Sequence, residues 1–138
     1  MPRNNPLASR PTLRWKDLDG QSLMLIRRGE SPVLDRLRED IEENHPHIDI
    51  IDMPTLYGTD AFNECVQQDC LMESFDMWAD VHPAIITLPV EWDYELPYGI
   101  VYAADPEPHL QAFIDMVSSV KAEQGRNVNA PCRLSRKA

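Results

Sequence analysis

Ile85-Ile-Thr-Leu-Pro-Val-Glu-Trp-Asp-Tyr-Glu-Leu-Pro-Tyr-Gly-Ile-Val-Tyr102 is the stretch whose reading decides the fold. Ile85, Ile86, Leu88 and Val90 form one short apolar run, and Ile100, Val101 and Tyr102 form a second. Short runs rich in β-branched and aromatic residues favour strands over buried helices. Pro89 and Pro97 each fix φ and remove a backbone donor, so the segment cannot be one continuous helix or strand. The sequence therefore predicts two buried strands joined by a stiff aromatic turn, a connection suited to a crossing between two packed bodies.

Upstream, Leu23-Met-Leu-Ile26 is apolar at every position, the pattern of a strand covered on both faces of a sheet. Before it, Trp15–Gly20 reads as a helical turn closed by a left-handed glycine. After it, Ser31 followed by Pro32 is a helix start, with Val33, Leu34, Leu37 and Ile41 as the apolar stripe and Pro46 beyond its end. Ile48–Met53 predicts a second strand. Thr59 predicts the cap of a helix that carries Phe62, Cys65 and Val66 on one side. Cys70–Met72 predicts a short strand, and Phe75, Met77 and Trp78 a turn of helix. Downstream, Asp105 with Pro106 repeats the cap signature ahead of Leu110, Phe113, Ile114 and Val117. Strands alternating with helices predict an α/β fold, a three-layer sandwich with a mainly parallel sheet flanked by helices.

Hydrophobic residues make up 43% of the 138, enough for a core and against global disorder. The net charge of −10 argues against unaided DNA binding, whose affinity comes from Lys and Arg on phosphates. That charge is uneven: residues 121–138 carry five basic side chains against Glu123, net +4, which leaves −14 on residues 1–120. The tail reads as a flexible basic segment. Three cysteines without a Cys-x-x-Cys pair fit a reducing compartment, and no apolar run has transmembrane length, so a cytoplasmic location off the membrane is expected.

Ligands of parallel α/β sheets sit beyond the carboxyl ends of strands, near helix N-termini. Arg27-Arg-Gly-Glu-Ser31 occupies that place: Gly29 admits a ligand to the backbone, and amides with one or two guanidinium groups suit a carboxylate or phosphate. No nucleotide-binding glycine motif occurs. His45 and His47 flank a proline at a helix end with no further ligand at useful spacing, so no metal is expected. Cys65 and Cys70 read as buried thiols. Glu91, Asp93 and Glu95 alternate in the turn, but neither they nor any nucleophile motif gives an enzyme reading support.

Taken in order, Asn5-Pro-Leu-Ala8, Leu13 and Leu18 with Gly20, Leu23-Met-Leu-Ile26 with Gly29, then Leu88-Pro-Val-Glu-Trp92, Pro97-Tyr-Gly-Ile-Val-Tyr102 and a helix holding Phe113 and Ile114 resemble the effector domain of LysR-type transcriptional regulators. The resemblance spans roughly residues 5–117. It implies a periplasmic-binding-protein-like fold, two α/β subdomains linked by two crossings, with a small effector in the cleft between them. Residues 1–13 would be an N-terminal arm and first crossing, 14–88 a regulatory subdomain, and 89–120 the return crossing and final helix. Arg27, Arg28, Gly29 and Ser31 match one cleft loop, Glu73, Ser74 and Phe75 fall near another, and Pro89, Val90, Pro97 and Tyr98 fall at the hinge. The family's winged helix-turn-helix and the first half of its first subdomain have no counterpart in these residues, and Cys70–Met77 replaces its glycine-rich segment. The implied role is to sense a small, anionic effector without a cofactor and to control transcription through a separate DNA-binding domain. The alternative is a free-standing module that pairs with a full-length regulator. Apolar surface left by the missing half predicts a dimer or other homo-oligomer.

Overall fold

The structure, a computed structural model, describes residues 1–96, 101–123 and 132–133. The chain divides into two compact units, one built on Met1–Leu96 and one within Pro97–Cys132. The first unit holds a three-stranded parallel sheet, β1 (Ser22–Leu25), β2 (Asp49–Asp52) and β3 (Leu71–Met72), in the order β2-β1-β3. Ser22 to Leu25 stand opposite Asp49 to Asp52, and Leu23 and Met24 opposite Leu71 and Met72. Parallel neighbours need a long crossover. Helix α2 (Pro32–Asn44) makes one, and α3 (Thr59–Gln67) the other. A one-turn helix, α1 (Trp15–Leu18), precedes β1, and a two-residue strand, β4 (Glu95–Leu96), ends the unit.

Local chemistry fixes the helix ends. Ser31 accepts the Leu34 N–H at 3.5 Å and Pro32 takes the first helical position, so α2 begins as the sequence predicts. Leu34, Leu37 and Ile41 are buried along its stripe, and Arg38 lies buried among them. That arginine donates to the Ile26 carbonyl (2.8 Å) and to Asp52 (2.7 Å), so it ties α2 to the ends of two strands. At the end of α3, Asp69 adopts φ +50, Cys70 N–H donates to the Cys65 carbonyl (3.1 Å) and Asp69 N–H to the Val66 carbonyl (3.3 Å). This is a Schellman termination, which brings the side chains at its two ends together. Those side chains are Cys65 and Cys70, both buried and free.

Four expectations are corrected. Thr59 does not cap α3: Gly58 does, in an extended conformation, with Thr55 Oγ1 only 3.1 Å from where a Cβ on residue 58 would sit. The final helix, α4 (Pro108–Glu123), starts two residues after Pro106, because Pro108 disfavours helical geometry at Glu107, whose carbonyl accepts the first bonds from Leu110 and Gln111. The run Ile85–Val90 is no continuous strand. Ile85 bridges Pro2 in antiparallel fashion and Val90 bridges Leu13 in parallel fashion, so the segment is shared between two different partners. In the second run Val101 is 98% exposed and neither it nor Tyr102 is in a strand, while Ile100 lies outside the described residues. Within residues 1–13, Met1, Pro2, Asn5 and Leu13 are buried and Pro6–Ser9 forms a 3-10 turn.

The core gathers Leu18, Met24, Leu25, Leu34, Leu37, Ile41 and Met53 at full burial. Leu37 of α2 is 0% exposed, so truncating it removes fully buried apolar surface. Leu37→Ala is expected to lower unfolding stability by about 2–5 kcal/mol, read as a reduced urea midpoint at unchanged slope.

Candidate functional site

All three strands point the same way, so their carboxyl ends release three loops on one side of the sheet: 26–31, 53–58 and 73–78. Glu73 is the first residue beyond β3. Its N–H continues the ladder to the Met24 carbonyl at 3.1 Å, and its side chain is 3% exposed. Tyr57, from the loop after β2, donates its hydroxyl to Glu73 Oε1 at 2.5 Å. The ring of Tyr57 is clamped against Trp78 (4.5 Å between centroids) and Phe75 (5.1 Å), and its backbone sits at φ +43, strained for a bulky residue. The partner of Glu73 is therefore rigidly held.

Glu73 Oε2 has no hydrogen-bond partner among the described residues, and neither has Ser74 Oγ. Both residues line a mainly apolar cavity with Met1, Leu71, Ile86 and Val90, with about 50 Å³ open to the centre of a water molecule. Trp92, whose Nε1 is also buried and unpartnered, closes another side. Burial pushes the Glu73 carboxyl up to about 7, against the smaller opposing pull of the Tyr57 hydroxyl and the Ile26 backbone. The Tyr57 phenol is raised in turn by burial and by the carboxylate beside it. The arrangement can hold or release a proton near neutral pH and can bind a hydrogen-bond donor.

The predicted arginine loop is occupied differently. Arg28 pairs with Glu42 (2.7 Å) and Glu39 (3.5 Å) of α2. The Gly29 N–H, at φ +92, is taken by the Asp35 carboxylate at 3.0 Å, and the Ser31 hydroxyl by Leu34. Arg27 reaches the Pro54 carbonyl at 3.4 Å and lines a separate cavity of about 70 Å³ with Glu30 and Thr55. Phe75 packs into the aromatic cluster. Of the predicted residues, Glu73, Ser74 and Val90 come together at one cavity; Pro89 supplies the carbonyl that accepts from Leu13 (2.8 Å); Pro97 and Tyr98 lie outside the described residues. Sequence reading missed Tyr57, Trp92 and Thr87, the last of which also lines the cavity. Tyr57 stands in a loop with no motif to mark it. Among the described residues no cluster of three or more His, Cys, Asp or Glu could hold a metal ion, and no helix is long and apolar enough to cross a membrane. Comparison with protein-family models, curated proteins and solved structures finds no match.

The pH dependence follows from Glu73. Its carboxyl rises from an ordinary 4.5 to about 7 on folding, so the folded chain holds more protons across that interval. Stability is expected to fall as pH climbs from about 4.5 to 7, with the loss complete above it. Glu73→Gln should flatten that slope and stabilise the chain at pH 8 by roughly 2–3 kcal/mol, read from urea unfolding at a series of pH values.

Proposed function

We propose that the chain is the effector-binding and oligomerising part of a LysR-type transcriptional regulator, with a periplasmic-binding-protein-like subdomain as its sensor. One observation carries this reading. The chain passes antiparallel to itself beside the Glu73 cavity: Arg3 N–H donates to the Ala84 carbonyl, Ile86 N–H to the Met1 carbonyl, both at 2.9 Å, and Met1, Ile85 and Ile86 line the cavity. A ligand there touches both chain passes and the end of β3 at once, which is the contact pattern a sensor needs if occupancy is to bias the crossing. The ends of the parallel strands are also where such sheets bind small molecules. A charge of −10 leaves DNA contact to a separate domain.

The exposed apolar side chains of the second unit favour the oligomerising half of the proposal. Phe113 and Met116 of α4 are 46% and 55% exposed, and Val101 and Tyr102 are exposed as well. A second copy, or a full-length regulator, would remove this surface from water. Sedimentation of the chain alone, and mixed with a full-length LysR-type regulator of the same genome, tests it. A dimer alone or a mixed complex is expected, and Phe113→Asp with Met116→Asp should weaken it at least tenfold. A monomer at high concentration that ignores the regulator overturns the reading.

A further inference from the structure

We infer that the cavity at the end of β3 takes a small primary amine, a chain of a few carbons whose ammonium group donates to Glu73 Oε2 and Ser74 Oγ. The inference rests on the ligand-binding reading above and deepens it by naming the chemical class. It follows from which polar atoms the fold leaves unused. Tyr57 consumes one oxygen of the Glu73 carboxyl and leaves the other buried and unpaired. A buried acceptor without a donor is costly, and more so when charged. Ser74 Oγ, on the next residue and lining the same cavity, is a second unused acceptor.

The remaining walls are mainly apolar, from Leu13, Leu71, Ile86 and Val90, with Thr87 and with Trp92, whose Nε1 is unpartnered, completing the lining. The apolar part suits an aliphatic body. The guanidinium groups that would favour an anion are elsewhere: Arg28 is paired on α2, and Arg27 lines the other cavity. Arg38 is committed to Ile26 and Asp52. An anionic ligand would meet the Glu73 carboxylate, whereas an ammonium supplies the missing donor and the opposite charge together. Met1 also lines the cavity; its α-amino group donates to the Ile86 carbonyl at 3.2 Å, and burial lowers its pKa from the ordinary value. Open space of about 50 Å³ for water centres is a few waters' worth, the size of a chain of roughly four or five heavy atoms.

The test is titration of the full chain at pH 8 with n-butylamine, butyrate and 1-butanol, followed by amide NMR shifts and calorimetry. Butylammonium is expected to bind at least tenfold more tightly than either analogue, with shifts centred on Ser74, Ile86 and Val90. Glu73→Gln, checked for an intact fold by its amide spectrum, should abolish the preference, and Ser74→Ala should reduce it several-fold. Equal affinity for amine and alcohol overturns the ligand class while leaving the cavity a binding site. Tighter binding of butyrate, an unchanged preference in Glu73→Gln, or no binding of any probe also overturns it. The regulator reading is decided separately, by the sedimentation experiment.

Discussion

The first unit depends on β1 being buried on both faces. Leu23, Met24, Leu25 and Ile26 are each no more than 4% exposed, and both edges of the strand are hydrogen-bonded, to β2 on one side and β3 on the other. A strand with no polar face can be stable only if layers cover it above and below and neighbours satisfy its amides. Everything else answers that demand. The crossover helices α2 and α3 return the chain in parallel, and the core residues of both helices fill the space over the sheet. Because the strands are parallel, their three carboxyl ends fall together, and the loops that follow bring polar groups together there.

Arg38 and Glu73 show how two charges are handled at those ends. Arg38 is drawn into the core stripe of α2, where one terminal nitrogen donates to a backbone carbonyl and to Asp52 while its Nε stays buried without a partner. Its position holds the ends of β1 and β2 to the helix. Glu73 is only half satisfied: Tyr57 donates to one oxygen, and the other has no hydrogen-bond partner among the described residues. A fold selected for stability alone would place an apolar residue there, since a partnered or absent charge costs less than a buried one left open. The unpaired oxygen is therefore the most informative atom in the structure.

The chain segment after β3 is built by compromise. Pro89 has no N–H to give, yet its carbonyl accepts from Leu13 and the hydroxyl of Thr12. Ile85 meanwhile belongs to a different, antiparallel contact with Pro2. The segment thus joins two parts of the N-terminal region without becoming a strand of the sheet, and this holds residues 1–13 against the body. Those contacts form the rim of the Glu73 cavity, so the packing of the first residues and the shape of the site are one constraint.

The sequence by itself determined the elements: the all-apolar Leu23–Ile26 run, the Ser31-Pro32 helix start, the glycine at Gly20 with φ +75, and the alternation that makes the sheet parallel. These are local effects of side-chain burial, capping and backbone sterics, carried within a few residues. It also marked Glu73 and Ser74, through the resemblance and not through any periodicity. Only the tertiary structure decided that Arg28 and Gly29 would be taken by Glu42 and Asp35, that Tyr57 would reach Glu73 across 16 residues, and that Ile85 and Val90 would choose different partners. Those outcomes depend on which polar groups meet across the fold and which are left without one. That is a property of three-dimensional proximity, and spacing along the chain does not encode it.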